Sequence, residues 1–128
     1  MFVTMQKLVP FICVLFGVSR GNGLATQFGT HLVCDTDNEC RNQHLVAGTE
    51  CKIDCIEESG CKLSKITFSN NCDYSYLNCS EYHSCLQTKI KCATDGYCEI
   101  HSEGYKSMTD SKIYCPGQSL CIIKCSNT

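Results

Sequence analysis

Tryptophan is absent from the 128-residue chain, and a chain of this length without it buries only a modest apolar core. A basic excess is absent too. Eleven Lys and Arg stand against 13 Asp and Glu, a net charge of −2, which excludes the strongly basic footprint expected of a nucleic-acid binder. No stretch repeats its apolar residues every 3.6 positions, so almost no helix is expected after the N-terminal segment. The one long apolar run, Leu8 to Val18, is broken only by Pro10 and Gly17. It is too short to cross a hydrocarbon layer of about 30 Å, and no stop-transfer segment follows it. Also missing are a nucleophile elbow, a metal-binding His pair and a phosphate loop.

What the chain has is cysteine, 14 in all. Such a density in a short chain marks a disulfide scaffold if the compartment is oxidising. The leader supplies that compartment. Met1 to Lys7 is a short segment with one Lys, the apolar run follows, and small residues follow that. Residues 1–25 therefore read as a secretory signal peptide, cleaved after Ala25 with Gly23 at −3, or alternatively near Ser19 or Gly23. Losing residues 1–25 removes Cys13, Lys7 and Arg20. The mature chain then carries 13 Cys, an odd number, and nine Lys and Arg against 13 Asp and Glu. Cross-links are expected to supply much of its stability.

The cysteines are spaced regularly. Cys79 and Cys85 are followed by Ile90, then by Cys92 and Cys98; Ile113 precedes Cys115 and Cys121 in the same way, and Cys125 opens a further unit. Earlier units follow the pattern less closely. Cys34, Cys40 and Leu45 lead to Ala47 and Cys51; Cys55, Cys61 and Ile66 lead to Phe68 and Cys72. Ser102 and Met108 hold the two Cys positions of the fourth unit. Leu45, Ile66, Ile90 and Ile113 recur with a period of about 23, the mark of a stacked array in which each unit covers its neighbour. Cys51-x-Ile53-x-Cys55, Cys98-x-Ile100-x-Ser102 and Cys121-x-Ile123-x-Cys125 alternate as half-buried strands do, and Leu45-x-Ala47, Ile66-x-Phe68, Ile90-x-Cys92 and Ile113-x-Cys115 make a second short strand. Polar five-residue segments lie between them, at 35–39, 56–60, 80–84, 93–97 and 116–120. The expected fold is all-β: a small disulfide-stapled solenoid of about four coils spanning residues 34–128, about 20 Å long, with residues 26–33 as an N-terminal cap. Ile66, Ile90 and Ile113 are expected in one inward column, and Ile53, Ile100 and Ile123 in another.

The joint replacement at Ser102 and Met108 favours bonds within each first pair, because losing one partner alone strands a thiol. The favoured scheme is Cys34–Cys40, Cys55–Cys61, Cys79–Cys85, Cys92–Cys98 and Cys115–Cys121. Cys51 and Cys72 take equivalent positions in adjacent coils and can pair along the stack, which leaves Cys125. A rival scheme joins each Cys to the one above it. An odd cysteine in a secreted chain points to a bond between chains, so self-association through the C-terminal end is expected.

The segment from Cys115 to Ser126 and the unit from Cys79 to Cys92 resemble cysteine-rich repeat segments of large secreted protist proteins. The likeness covers most of residues 34–126, and Ala47, Phe68, Ser102 and Met108 depart from it. It implies repetition and secretion, without a known activity.

Three patterns bear on function. His44, Lys65, Lys89 and Lys112 each precede an inward residue, so they form an outward basic ladder suited to an acidic glycan or a mineral surface, or else a solvated face whose Lys block edge pairing. The turns collect acid, Asp35, Asp37, Glu39, Glu57, Glu58, Glu81 and Glu103, but Asp35-x-Asp37-x-Glu39 lacks a calcium loop. Cys51-x3-Cys55 and Cys121-x3-Cys125 have the spacing of zinc ligands, but oxidation of their thiols excludes the metal. No metal and no cofactor is expected. The outward residues Val46, Thr67, Lys91 and Tyr114 make no Thr ladder, which excludes ice binding. Asn78-Cys79-Ser80 is a glycosylation sequon, with the Cys in its middle leaving its occupancy open. Enzymes built on solenoids use longer stacks that form a cleft, so no catalysis is expected. The leading expectation is a secreted structural or surface protein of an extracellular coat or matrix. Alternatives are a binding module for anionic carbohydrate and a secreted defence or effector protein.

Overall fold

A computed structural model describes residues 25–36 and 40–126. The leader with Cys13, the acidic pair Asp37 and Glu39, and residues 127–128 lie outside the described residues. Those described form a parallel β-solenoid of about four coils with no helix. Its strands are β1 (Ala25–Cys34), β2 (Gln43–Cys55), β3 (Lys65–Phe68), β4 (Tyr74–Cys79), β5 (Lys89–Lys91), β6 (Asp95–Ser102), β7 (Lys112–Tyr114) and β8 (Gln118–Cys125).

Two sheet faces result. The N-terminal halves of β1 and β2 continue into β3, β5 and β7 on face A; their C-terminal halves continue into β4, β6 and β8 on face B. Period-two alternation dictates what is inside. On face A, Leu45, Ile66, Ile90 and Ile113 stand in register; the first three are buried, and Ile113, in the last layer, is partly covered. On face B the column is Leu32, Ile53, Leu77, Ile100 and Ile123; Ile53, Leu77 and Ile100 are buried and Leu32 is partly covered, but Ile123, in the last layer with no coil over it among the described residues, is half exposed rather than inside. Leu77 fills a place for which the cysteine spacing gave no candidate, because no Cys stands two residues before it. Residues 26–33 lie within β1, so they cover the first coil by adding one strand to each sheet, in parallel register with β2.

The segments between β2 and β3, between β4 and β5, and between β6 and β7 make a third side. Each reverses direction by placing residues in the left-handed region on both sides of the coil's second cysteine position: Ser59 and Leu63 around Cys61, His83 and Gln87 around Cys85, Lys106 and Asp110 around Met108. None of these is glycine. The conformation costs such residues about 1 kcal/mol or more each, and the backbone offsets it with bonds between coils. Cys61 N–H donates to Ser84 O (2.7 Å), Cys85 N–H to Ser107 O (2.8 Å), Leu63 N–H to Leu86 O and Gln87 N–H to Thr109 O (both 2.9 Å). These turns are therefore a third hydrogen-bonded ladder rather than free loops. The segments at 93–97 and 116–120 differ, since Asp95 and Gln118 already begin β6 and β8. Gly96, at φ 86°, lies where a Cβ would come within 2.3 Å of the Asp73 carbonyl oxygen.

Inside the third side runs a hydroxyl column. Ser64 Oγ donates to Cys40 O (2.5 Å), Thr88 Oγ1 to Cys61 O (2.7 Å) and Ser111 Oγ to Cys85 O (2.5 Å), each reaching back one coil. Ser64 and Thr88 are buried and Ser111 is partly buried, and each hydroxyl gives a carbonyl of the previous coil a hydrogen-bond donor.

Six disulfides cross-link the described residues: Cys34–Cys40, Cys55–Cys61, Cys79–Cys85, Cys92–Cys98, Cys115–Cys121 and Cys51–Cys72. The first five close short loops within a coil; the last joins two coils. Cys51 and Cys72 do not hold equivalent positions. The register Lys52↔Tyr76 sets Ser75 level with Cys51, and Cys72 lies three residues earlier. In the corner where the third and fourth coils have Cys92–Cys98 and Cys115–Cys121, the first has Ala47 and Cys51 and the second has Phe68 and Ser75. With no thiol at Ala47, Cys51 reaches forward to Cys72. Ser102 Oγ hydrogen-bonds Ser107 Oγ where three other coils have a disulfide, and Met108 packs partly buried against the core.

Ile90 is 1% exposed and Ile123 is 48% exposed. Ile90→Ala should therefore cost about 3 kcal/mol of unfolding free energy, and Ile123→Ala less than about 1 kcal/mol. Chemical denaturation of the oxidised protein measures both; equal costs would contradict the inward column.

Candidate functional site

On face A the outward residues alternate with the buried Ile column, so each one stacks on its counterpart in the next coil. The registers His44↔Lys65, Lys65↔Lys89 and Lys89↔Lys112 place all four members of the basic ladder in one row. Successive strands lie about 4.8 Å apart, a separation at which like charges repel. The neighbouring row is Phe28, Val46, Thr67, Lys91 and Tyr114. Lys91 thus brings a fourth ammonium group to the same surface. An open groove of about 250 Å³ runs over these strands, lined by Lys65, Lys89, Lys91, Lys112 and Tyr114.

His44 differs from the lysines. Its Nε2 lies 3.0 Å from Thr67 Oγ1, and burial, followed by the charge of Lys65, holds its pKa below the ordinary 6.5. The ring is consequently neutral near pH 7, and the charged part of the row is its lysines.

Face B carries its charges in pairs. Asp54 accepts from His31 Nε2 at 2.6 Å and lies 3.8 Å from Lys52 Nζ. Glu99 accepts from Tyr74 Oη (2.5 Å), His101 Nε2 (2.5 Å) and Lys124 Nζ (2.9 Å). The Tyr74 hydroxyl, then His101, then Lys124 favour the ionised carboxylate and hold Glu99 down at about 2. The same bond to Glu99 raises the Tyr74 pKa, and burial raises that of Tyr76. On face A, by contrast, Lys65, Lys89, Lys91 and Lys112 make no ion pair among the described residues. The ladder is distinguished by that lack of compensation, which sequence spacing alone does not reveal.

Among the acidic turn residues described, Asp35, Glu58, Glu81 and Glu103 are exposed; the structure does not gather them into a site with His or Cys ligands. Three sulfur clusters do exist, Cys34/Cys40/Cys61, Cys55/Cys79/Cys85 and Cys92/Cys98/Cys121. Every member is disulfide-bonded, and a disulfide sulfur has no thiolate to offer a metal. Cys125 is a free, exposed thiol beside Ser102 in register. Asn78 lies within β4, partly buried, between Asp54 and His101 of adjacent strands, instead of in the surface loop that a sequon implies. His83 stacks on Tyr82, with ring centroids 3.8 Å apart. No helix among the described residues is long and apolar enough to cross a membrane.

The Glu99 cluster has a pH signature. A carboxylate held at about 2 in the folded protein, against an ordinary 4.5, contributes stability that is complete above about pH 4.5 and is lost as pH falls from there through about 2. Glu99→Gln should lower the thermal midpoint at pH 6 and match the parent protein near pH 2. A difference that stays constant across that range would show that the cluster does not titrate in this way.

Comparison of the chain with protein-family models, with curated proteins and with solved structures finds no match.

Proposed function

We propose that this is a secreted, non-enzymatic structural protein, a rigid module of an extracellular coat or matrix. The observation that carries the reading is the cross-linking of a thin β-stack by six disulfides, which fits an extracellular or otherwise oxidising environment. Bonds that close short loops in almost every coil suit a protein that has to keep its shape outside the cell. Self-association belongs to the same reading. Cys125 is exposed and unpaired, and Leu120 and Ile123 of β8 are about half exposed beside it. Mass spectrometry of unreduced protein from the secretory route should return the six intrachain pairs, with Cys125 in a reducible dimer that Cys125→Ser abolishes. Protease resistance should disappear on reduction. Free thiols throughout, or resistance that survives reduction, would overturn the structural reading; a monomer with Cys125 bonded inside the chain would overturn self-association alone.

A second reading, a binding module for anionic carbohydrate, is favoured by the uncompensated lysines of face A. It predicts retention on a sulfated or carboxylated glycan array at low salt and release at about 1 M salt, where the Debye length falls to about 3 Å. Retention on neutral glycans, or retention that salt does not change, would count against it.

A further inference from the structure

Resting on the carbohydrate-binding reading, we propose that the ligand of face A is a linear acidic polysaccharide. It lies along the stacking axis over β3, β5 and β7, its anionic groups meeting Lys65, Lys89, Lys91 and Lys112 and one sugar ring seated on Tyr114. The site is therefore not the ladder of His44 and three lysines that the sequence suggests. It gains Lys91 and Tyr114 and loses His44.

The geometry supports each part. Lys65, Lys89 and Lys112 follow one another at the strand spacing of about 4.8 Å, while Lys91 stands beside Lys89, two residues along β5 and about 6.6 Å away. The charges form a flat net. A compact anion such as free phosphate needs donors that converge on one point; a net of parallel side chains matches an extended chain carrying many charges instead. All four ammonium groups lack a carboxylate partner among the described residues, whereas Asp54 and Glu99 of face B are already engaged. A polyanion thus finds four clustered, unneutralised charges on face A, on a protein whose net charge is negative. That overall negative charge disfavours a nucleic acid, which draws on a broad basic surface. Tyr114 is 64% exposed on the last strand of the same groove, so an apolar aromatic face with a polar edge lies open where a sugar ring would follow. His44 is turned to Thr67 and uncharged near pH 7, which confines the site to the three coils bearing lysine.

Affinity measurements at pH 7 and low salt test this with heparin as the sulfated probe, polygalacturonate as the carboxylated one and dextran as the neutral one. Single removal of an exposed charge contact weakens binding by up to about fivefold. Lys91→Ala and Tyr114→Ala should each weaken binding of an acidic polymer by about three- to fivefold. Lys106→Ala, which removes an equal charge from the third side, should leave it unchanged, and dextran should not bind. If Lys89→Ala weakens binding but Lys91→Ala and Tyr114→Ala do not, the site assigned here is wrong while the ladder reading stands. If no acidic polymer binds, both fall. If duplex DNA binds as tightly as heparin, the assignment to a polysaccharide is overturned.

Discussion

The whole structure depends on parallel, in-register stacking of backbone on backbone. Each strand hydrogen-bonds its counterpart one coil away, and the turns of the third side do the same through Cys61, Cys85, Leu63 and Gln87. In-register stacking sets like residue on like residue at about 4.8 Å. Every other feature is a response to that constraint. Inward columns satisfy it with Leu and Ile; the column of Ser64, Thr88 and Ser111 satisfies it by passing each hydroxyl to a carbonyl of the previous coil.

A thin stack encloses little apolar volume, and the chain compensates covalently. In the chain-entropy view, a bond closing a loop of six residues contributes about 2 kcal/mol, and one spanning 21, as Cys51–Cys72 does, about 3 kcal/mol. Those contributions offset the left-handed residues of the turns. They also explain the tolerance of variation among coils. Where the thiols are gone, the Ser102–Ser107 hydrogen bond and the packing of Met108 and Phe68 hold the same positions.

Stacking also sorts charge. On face B, rows of mixed sign let Asp54, through His31, and Glu99, through Lys124, bridge neighbouring strands. On face A the row of lysines repeats one sign and has no acidic row beside it. Repulsion there is a standing cost to the fold, which an acidic ligand would relieve.

The fold class was legible in the sequence because it rests on local periodicity. The alternation in Cys98-x-Ile100-x-Ser102, the turn composition and the recurrence of Leu45, Ile66, Ile90 and Ile113 are properties of neighbours along the chain, and the row of His44, Lys65, Lys89 and Lys112 follows from the same count. Tertiary structure decided what depends on register between coils of unequal length. The first two coils have different corners, so counting cysteines aligned Cys72 with Cys51 where the backbone aligns Ser75, and it passed over Leu77. The αL turns were illegible because Leu63, Gln87 and Lys106 carry no turn signal of their own; the ladder between coils imposes the conformation. The loss of charge at His44 and the contrast between paired face B and unpaired face A were also decided in three dimensions. Both are set by which side chains stand a few ångströms away on a neighbouring strand, over twenty residues distant in the chain.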